Sequence, residues 1–157
     1  MASEMQNQHA ERSAHRLEAS LLASDLEFLT ARARAVGIRR ANQWLEPLGI
    51  KARDFAILSL VSTDEQPSQR ELAEFLSLDA SQVVALVDSL EKKQLLKRQT
   101  DPRDRRSNIL VSTQAGIELY EKAQIAIDQA REESLDGLSD AERDELKRLL
   151  TLMAFHD

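Results

Sequence analysis

Two helix-start signals stand eleven residues apart near the middle of the chain: Ser68 is followed by Glu71, and Asp79 by Gln82. In such boxes a short polar side chain caps the unpaired N–H groups of a first turn, while the residue three positions on reaches back. Apolar residues follow each signal at helical spacing. They are Leu72, Ala73 and Leu76 after the first, and Val83, Leu86, Val87 and Leu90 after the second. Ser77-Leu78-Asp79 leaves room only for a three-residue turn between the two helices. That arrangement is a helix-turn-helix, although the usual glycine of its corner is absent.

A hairpin is predicted directly afterwards. Leu95-Leu96-Lys97-Arg98-Gln99 and Ser107-Asn108-Ile109-Leu110-Val111 flank a polar tip, Thr100-Asp101-Pro102-Arg103-Asp104-Arg105-Arg106. Leu95, Leu96, Ile109 and Val111 are expected to anchor it. Upstream, the pattern predicts one long helix from about Arg12 to Leu45, closed by Pro47 and Gly49. A second runs from about Ala52 to Ser62 and is broken before Pro67. Downstream, Thr113 caps a helix through Ile117, Leu119, Ile125 and Ile127. Ser139 with Glu142 opens a last helix bearing Leu146, Leu149, Leu150 and Met153. The order is α-α-α-α-β-β-α-α: a mainly α chain with a winged helix-turn-helix inside it. Composition agrees, since 4 Gly, 3 Pro and 4 % aromatic residues are few for a protein built of sheets and turns.

The net charge of −6 argues against a nucleic-acid partner only if charge is evenly spread. It is not. Glu91 to Arg106 holds seven basic residues against three acidic ones, whereas Glu118 to Asp157 holds five against eleven. A basic patch sits on an acidic body.

Several functions are excluded or disfavoured. With no cysteine there is no disulfide, thiolate metal site or thiol switch. No run approaches the ~18 apolar residues of a membrane span, and the N-terminus is too polar for a signal peptide, so a cytoplasmic location is expected. His9, His15 and His156 lack metal-ligand spacing. There is no glycine-rich phosphate loop, no G-x-S-x-G and no mid-chain histidine or cysteine, so neither an enzyme nor a bound cofactor is expected.

The run Leu86-Val87-Asp88-Ser89-Leu90-Glu91-Lys92-Lys93-Gln94-Leu95-Leu96-Lys97-Arg98 resembles the recognition-helix end of MarR-type (multiple antibiotic resistance) regulators. Asp101-Pro102-Arg103-Asp104-Arg105-Arg106 resembles their wing, and Thr113-Gln114-Ala115-Gly116 the start of the helix after it. Glu46-Pro47-Leu48-Gly49-Ile50 and Ser139-Asp140-Ala141-Glu142 also fit, so the likeness spans roughly Leu26 to Phe155. It implies a homodimeric regulator of transcription on a pseudo-palindromic double-stranded DNA operator, with a possible small-molecule effector such as an aromatic acid. The segments it implies are a tail and long dimerisation helix over 1–50, a DNA-binding lobe over 51–112 and C-terminal dimerisation helices over 113–157. Two departures matter. Gln94 stands where the family commonly has Gly, which predicts a looser turn into the wing. From Ala80 to Leu90 there is no Arg or Lys.

Base contact would then rest on Ser81, Gln82 and Ser89, with Val84 and Ala85 able to touch thymine methyl groups. Ser68 and Gln69 at the start of the first helix, and Lys92, Lys93 and Arg98, are candidates for the DNA backbone. Arg103, Arg105 and Arg106 on the wing suit phosphates or a narrow minor groove, with Asp101 and Asp104 orienting their guanidinium groups. Phe28, Arg40, Trp44, Phe55 and Tyr120 are the candidate lining of an effector pocket, against the plainer reading of aromatic core. The alternative function is a winged-helix module that holds a protein partner instead of DNA.

Overall fold

The computed structural model describes residues 17–155. The chain divides into two compact units, one through Ile38 and one from Arg39 onward. In the first, a 3-10 turn at Leu21–Ser24 precedes helix α1, Leu26–Leu45, which runs on into the second unit. The long helix expected from about Arg12 therefore begins later; residues 12–16 lie outside the described part. The cause is Asp25, which is extended (φ −75°, ψ 130°) and accepts the Phe28 N–H at 2.8 Å, a side-chain cap that restarts the helix.

The second unit continues with a 3-10 turn at Glu46–Leu48, then α2, Ala52–Val61, α3, Gln69–Leu76, and α4, Ala80–Lys92. Strands β1, Leu96–Thr100, and β2, Asn108–Ser112, pair antiparallel with Leu96 opposite Ser112 and Thr100 opposite Asn108. Helices α5, Gln114–Ser134, and α6, Asp140–Phe155, complete the order. This is the expected winged helix-turn-helix.

The capping boxes divide. Ser68 accepts the Glu71 N–H, and the Glu71 carboxylate accepts the Ser68 N–H at 2.7 Å. This reciprocal contact holds the Glu71 carboxyl below its ordinary pKa, the backbone hydrogen bond from Ser68 being the larger cause. Asp79 stands at the start of α4 but its side chain makes no cap bond. The Gln82 N–H donates instead to the Asp79 carbonyl at 2.9 Å, so the donor that a carboxylate would take is already engaged. Thr113 caps α5 as expected, accepting the Gly116 N–H at 3.1 Å.

The core gathers Ile57, Leu58, Val61, Leu72, Val83, Val87, Leu90, Leu96 and Leu110, all within 2 % of full burial. In β2 the buried pair is Ile109 and Leu110, while Val111 is only half-buried. The anchor shifts because the Leu110 N–H donates to the Pro67 carbonyl at 2.9 Å, pinning the strand to the segment ahead of α3. In α5 the inward face is made of small residues, Gly116, Ala123, Ala126 and Ala130, whereas Ile125 is exposed. Helix α6 buries nothing.

Candidate nucleic-acid interface

Both corners of the lobe rely on residues other than glycine in a left-handed conformation. Ser77 ends α3 at φ 51°, with the Leu78 N–H donating to the Ala73 carbonyl at 3.0 Å. Gln94 ends α4 at φ 59°, with the Gln94 N–H donating to Glu91 at 2.8 Å and the Leu95 N–H to Leu90 at 3.0 Å. The paired bonds make each corner a closed Schellman turn. The looser turn expected at Gln94 is not found: the hydrogen bonds are complete, and the departure from glycine is absorbed as backbone strain.

With Val83, Val87 and Leu90 inward, α4 presents Ser81, Gln82, Val84, Ala85, Asp88 and Ser89 outward. Val84 is 44 % exposed on this face. This face is neutral apart from Asp88, and that carboxylate is paired with Arg98.

The cations sort by what they touch. Arg103 forks onto Asp101, with Nε at 3.1 Å from Oδ1 and Nη2 at 3.2 Å from Oδ2, and its backbone N–H donates to the same carboxylate at 2.8 Å. Asp101 is nearly buried, whereas the Arg103 side chain is 69 % exposed. The guanidinium hydrogen bond is the main reason the Asp101 pKa lies below its ordinary value. Asp104 departs from expectation. It accepts the Arg106 backbone N–H at 3.0 Å, a short turn closed on its own backbone, and holds no guanidinium among the described residues. Arg105 and Arg106 stand exposed on the tip.

Lys92 is exposed at the last turn of α4. Lys93 Nζ donates to the Gly49 carbonyl at 2.9 Å, tying α4 to the turn after α1. Arg98 is half-buried and donates to Asp88, Glu91 and Gln69, so its placement is that of a brace rather than a free phosphate contact. Sequence reasoning missed this web, although acidic residues three apart on α4 with an arginine in the next strand were its only trace. Ser68 is engaged in its cap, and Gln69 accepts from Arg98 Nε at 3.1 Å.

The pocket candidates of the second unit fall into two groups. Phe55 and Tyr120 stack at 5.7 Å between ring centroids. Trp44 Nε1 donates to the Glu133 carboxylate at 3.0 Å, and Arg40 donates to the Glu133 carbonyl at 2.7 Å. Phe28 belongs to the first unit. Among the described residues no cluster could hold a metal ion, and no helix is long and apolar enough to cross a membrane.

A helix-turn-helix with an arginine-tipped two-stranded wing defines the winged-helix class of DNA-binding proteins. The MarR family profile matches residues 50–108. A MarR-family transcriptional regulator from Rhodococcus sp. RHA1 superposes with a TM-score of 0.81 at 30 % identity, over 88 % of this chain and 99 % of its own. CouR from Rhodococcus jostii RHA1, solved bound to p-coumaroyl-CoA, gives 0.80 at 31 %, over 88 % and 98 %. The repressor CouR bound to a 23-mer DNA duplex gives 0.77 at 26 %, over 85 % and 94 %. A putative transcriptional regulatory protein for the hcr operon of Thauera aromatica is 29 % identical over 130 residues, 82 % of this chain and 78 % of its own. The chain belongs to the MarR family of DNA-binding transcription regulators.

Proposed function

We propose that the chain is a homodimeric repressor that binds a pseudo-palindromic duplex site and is released by a small aromatic or acidic ligand. The observation that carries this reading is the Arg103 guanidinium, held by a nearly buried Asp101 on the wing that follows an α4 with a neutral, exposed outer face. In it, α4 enters the major groove with Ser81, Gln82, Val84, Ala85 and Ser89 toward base edges. Arg103, Arg105 and Arg106 reach the flanking minor groove or its phosphates, and Ser68, Gln69, Lys92 and Lys93 line the backbone. The CouR repressor, solved bound to a 23-mer DNA duplex, supports duplex DNA as the partner by analogy.

Dimerisation draws support from α6. Leu146, Leu149, Leu150, Met153 and Phe155 are all at least 36 % exposed there. Leaving large apolar side chains wet costs roughly 1.5–3 kcal/mol each. A twofold pair would cover them and would set two recognition helices one DNA turn apart, ~34–36 Å. The proposed division of labour is dimerisation by 1–50 and 113–157, and DNA binding by 51–112. Deleting Ser139 to Asp157 should yield a monomeric or poorly soluble protein with little affinity for a selected duplex, read by light scattering and anisotropy. A soluble monomer that binds as tightly as the full chain would overturn the dimer.

For the ligand, the p-coumaroyl-CoA complex of CouR is the supporting precedent, and within the second unit Trp44, Arg40, Phe55 and Tyr120 are the residues proposed to respond. A true effector must raise the melting temperature and weaken DNA binding through one coupling energy. p-Coumarate and p-coumaroyl-CoA are the first probes; a thermal shift with unchanged DNA affinity would remove the release step.

A further inference from the structure

Asp88 lies three residues after Ala85 and four after Val84, on the face of α4 that the reading above turns toward DNA. A carboxylate there meets a polyanion, and Glu91 one turn further adds a second negative charge. Arg98 stands against both. Nη2 donates to Asp88, Nη1 to Glu91 and Nε to Gln69 at 3.1 Å, while the Arg98 backbone N–H donates to Glu91 at 3.1 Å. One planar fork thus joins β1, α4 and α3, and its side chain is only 25 % exposed. Lysine has a single ammonium and could not hold three acceptors in this spread.

We propose that Arg98 is a positioning residue that masks the Asp88 and Glu91 carboxylates from DNA phosphates and fixes the wing strand against the recognition helix. The proposal rests on the DNA-binding reading and changes what it says about specificity. The neutral face of α4 is neutral by construction, and an acidic side chain can sit among the base-facing residues because a wing residue cancels it. Removing Arg98 leaves both carboxylates without their guanidinium partner beside the face turned toward DNA. Removing Asp88 alone changes little, because its carboxylate is already held by the Arg98 guanidinium, whose single positive charge offsets one of the two carboxylates.

A double-mutant cycle tests this with two probes, a mixed-sequence duplex and a duplex selected by the wild-type protein, followed by anisotropy at fixed salt. Arg98→Met should weaken binding by about tenfold or more, with circular dichroism showing the fold retained. Asp88→Asn should alter wild-type affinity less than about twofold, yet raise the affinity of Arg98→Met by about fivefold. Equal effects of Asp88→Asn in both backgrounds would mean independent charges and would overturn the proposal; so would an unrescued loss. If Arg98→Met does not fold, the neutral but polar Arg98→Gln takes its place with the same rescue as readout. A wild-type protein that binds neither duplex overturns the DNA-binding reading itself, whereas normal wild-type binding without rescue overturns this proposal alone.

Discussion

Gln94 and Ser77 hold left-handed backbone at φ 59° and 51°, where a side chain crowds the following carbonyl at a cost of about 1–2 kcal/mol. Glycine removes that cost and loses part of the gain to the entropy of the unfolded chain. Gln94→Gly should therefore stabilise the protein by about 0.5–1 kcal/mol, seen as a rise in melting temperature of roughly 1–4 °C. An unchanged or lower melting point would show that the Gln94 side chain contributes more than its strain removes. On the wing, Arg103→Ala should weaken DNA binding more than Lys97→Ala, since Arg103 is pre-oriented by Asp101 and Lys97 is a solvated cation on a strand. Comparable losses in an anisotropy titration would contradict this. The Arg103–Asp101 pairing was readable from the sequence because the partners are two residues apart. The partners of Arg98, ten and twenty-nine residues away for Asp88 and Gln69, were not.

Among elements, α5 approaches the start of the wing closely at Gly116. A Cβ on Gly116 would lie 1.9 Å from the Leu95 carbonyl oxygen and 2.6 Å from Ser112 Oγ. The Leu95 carbonyl already accepts the Thr113 N–H at 3.1 Å and cannot retreat without breaking that bond. Gly116→Ala should thus destabilise the fold by about 1–3 kcal/mol, a cost typical of forced overpacking, measurable by urea titration. A neutral result would mean that α5 shifts freely relative to β1. The alanine face of α5 follows the same logic: small residues let the helix lie close, so burial there does not track hydrophobic size. Reading large aliphatic residues alone singles out Ile125, which is 66 % exposed, and passes over Ala123, which is fully buried.

For the molecule as a whole, acid dependence follows from the carboxylates. Asp101, Glu71, Glu142 and Glu145 all have folded pKa values below their ordinary ones, through hydrogen bonds from Arg103, Ser68, Ser139 and Arg148 respectively. A lowered folded value contributes stability that is complete above the ordinary carboxylate range, about 3.9–4.3, and is lost as pH falls through the folded value. Urea midpoints should therefore owe no change to these groups between about pH 8 and 5.5 and should fall below about pH 4. Asp101→Asn should make that acid decline shallower; an identical decline would show that the wing clamp is uncoupled from folding. What the sequence determined alone is local: helix starts at Ser68 and Thr113, the three-residue corner, the hairpin and its arginine tip. These depend on contacts within a few residues, where spacing specifies geometry. The start of α1 is equally local, set by the Asp25 cap three residues before Phe28, whereas the tertiary structure decided which strand residue anchors the wing and that Arg98 braces three elements. Those outcomes depend on which donors and charges meet across the folded chain, and separation along the sequence does not encode that distance.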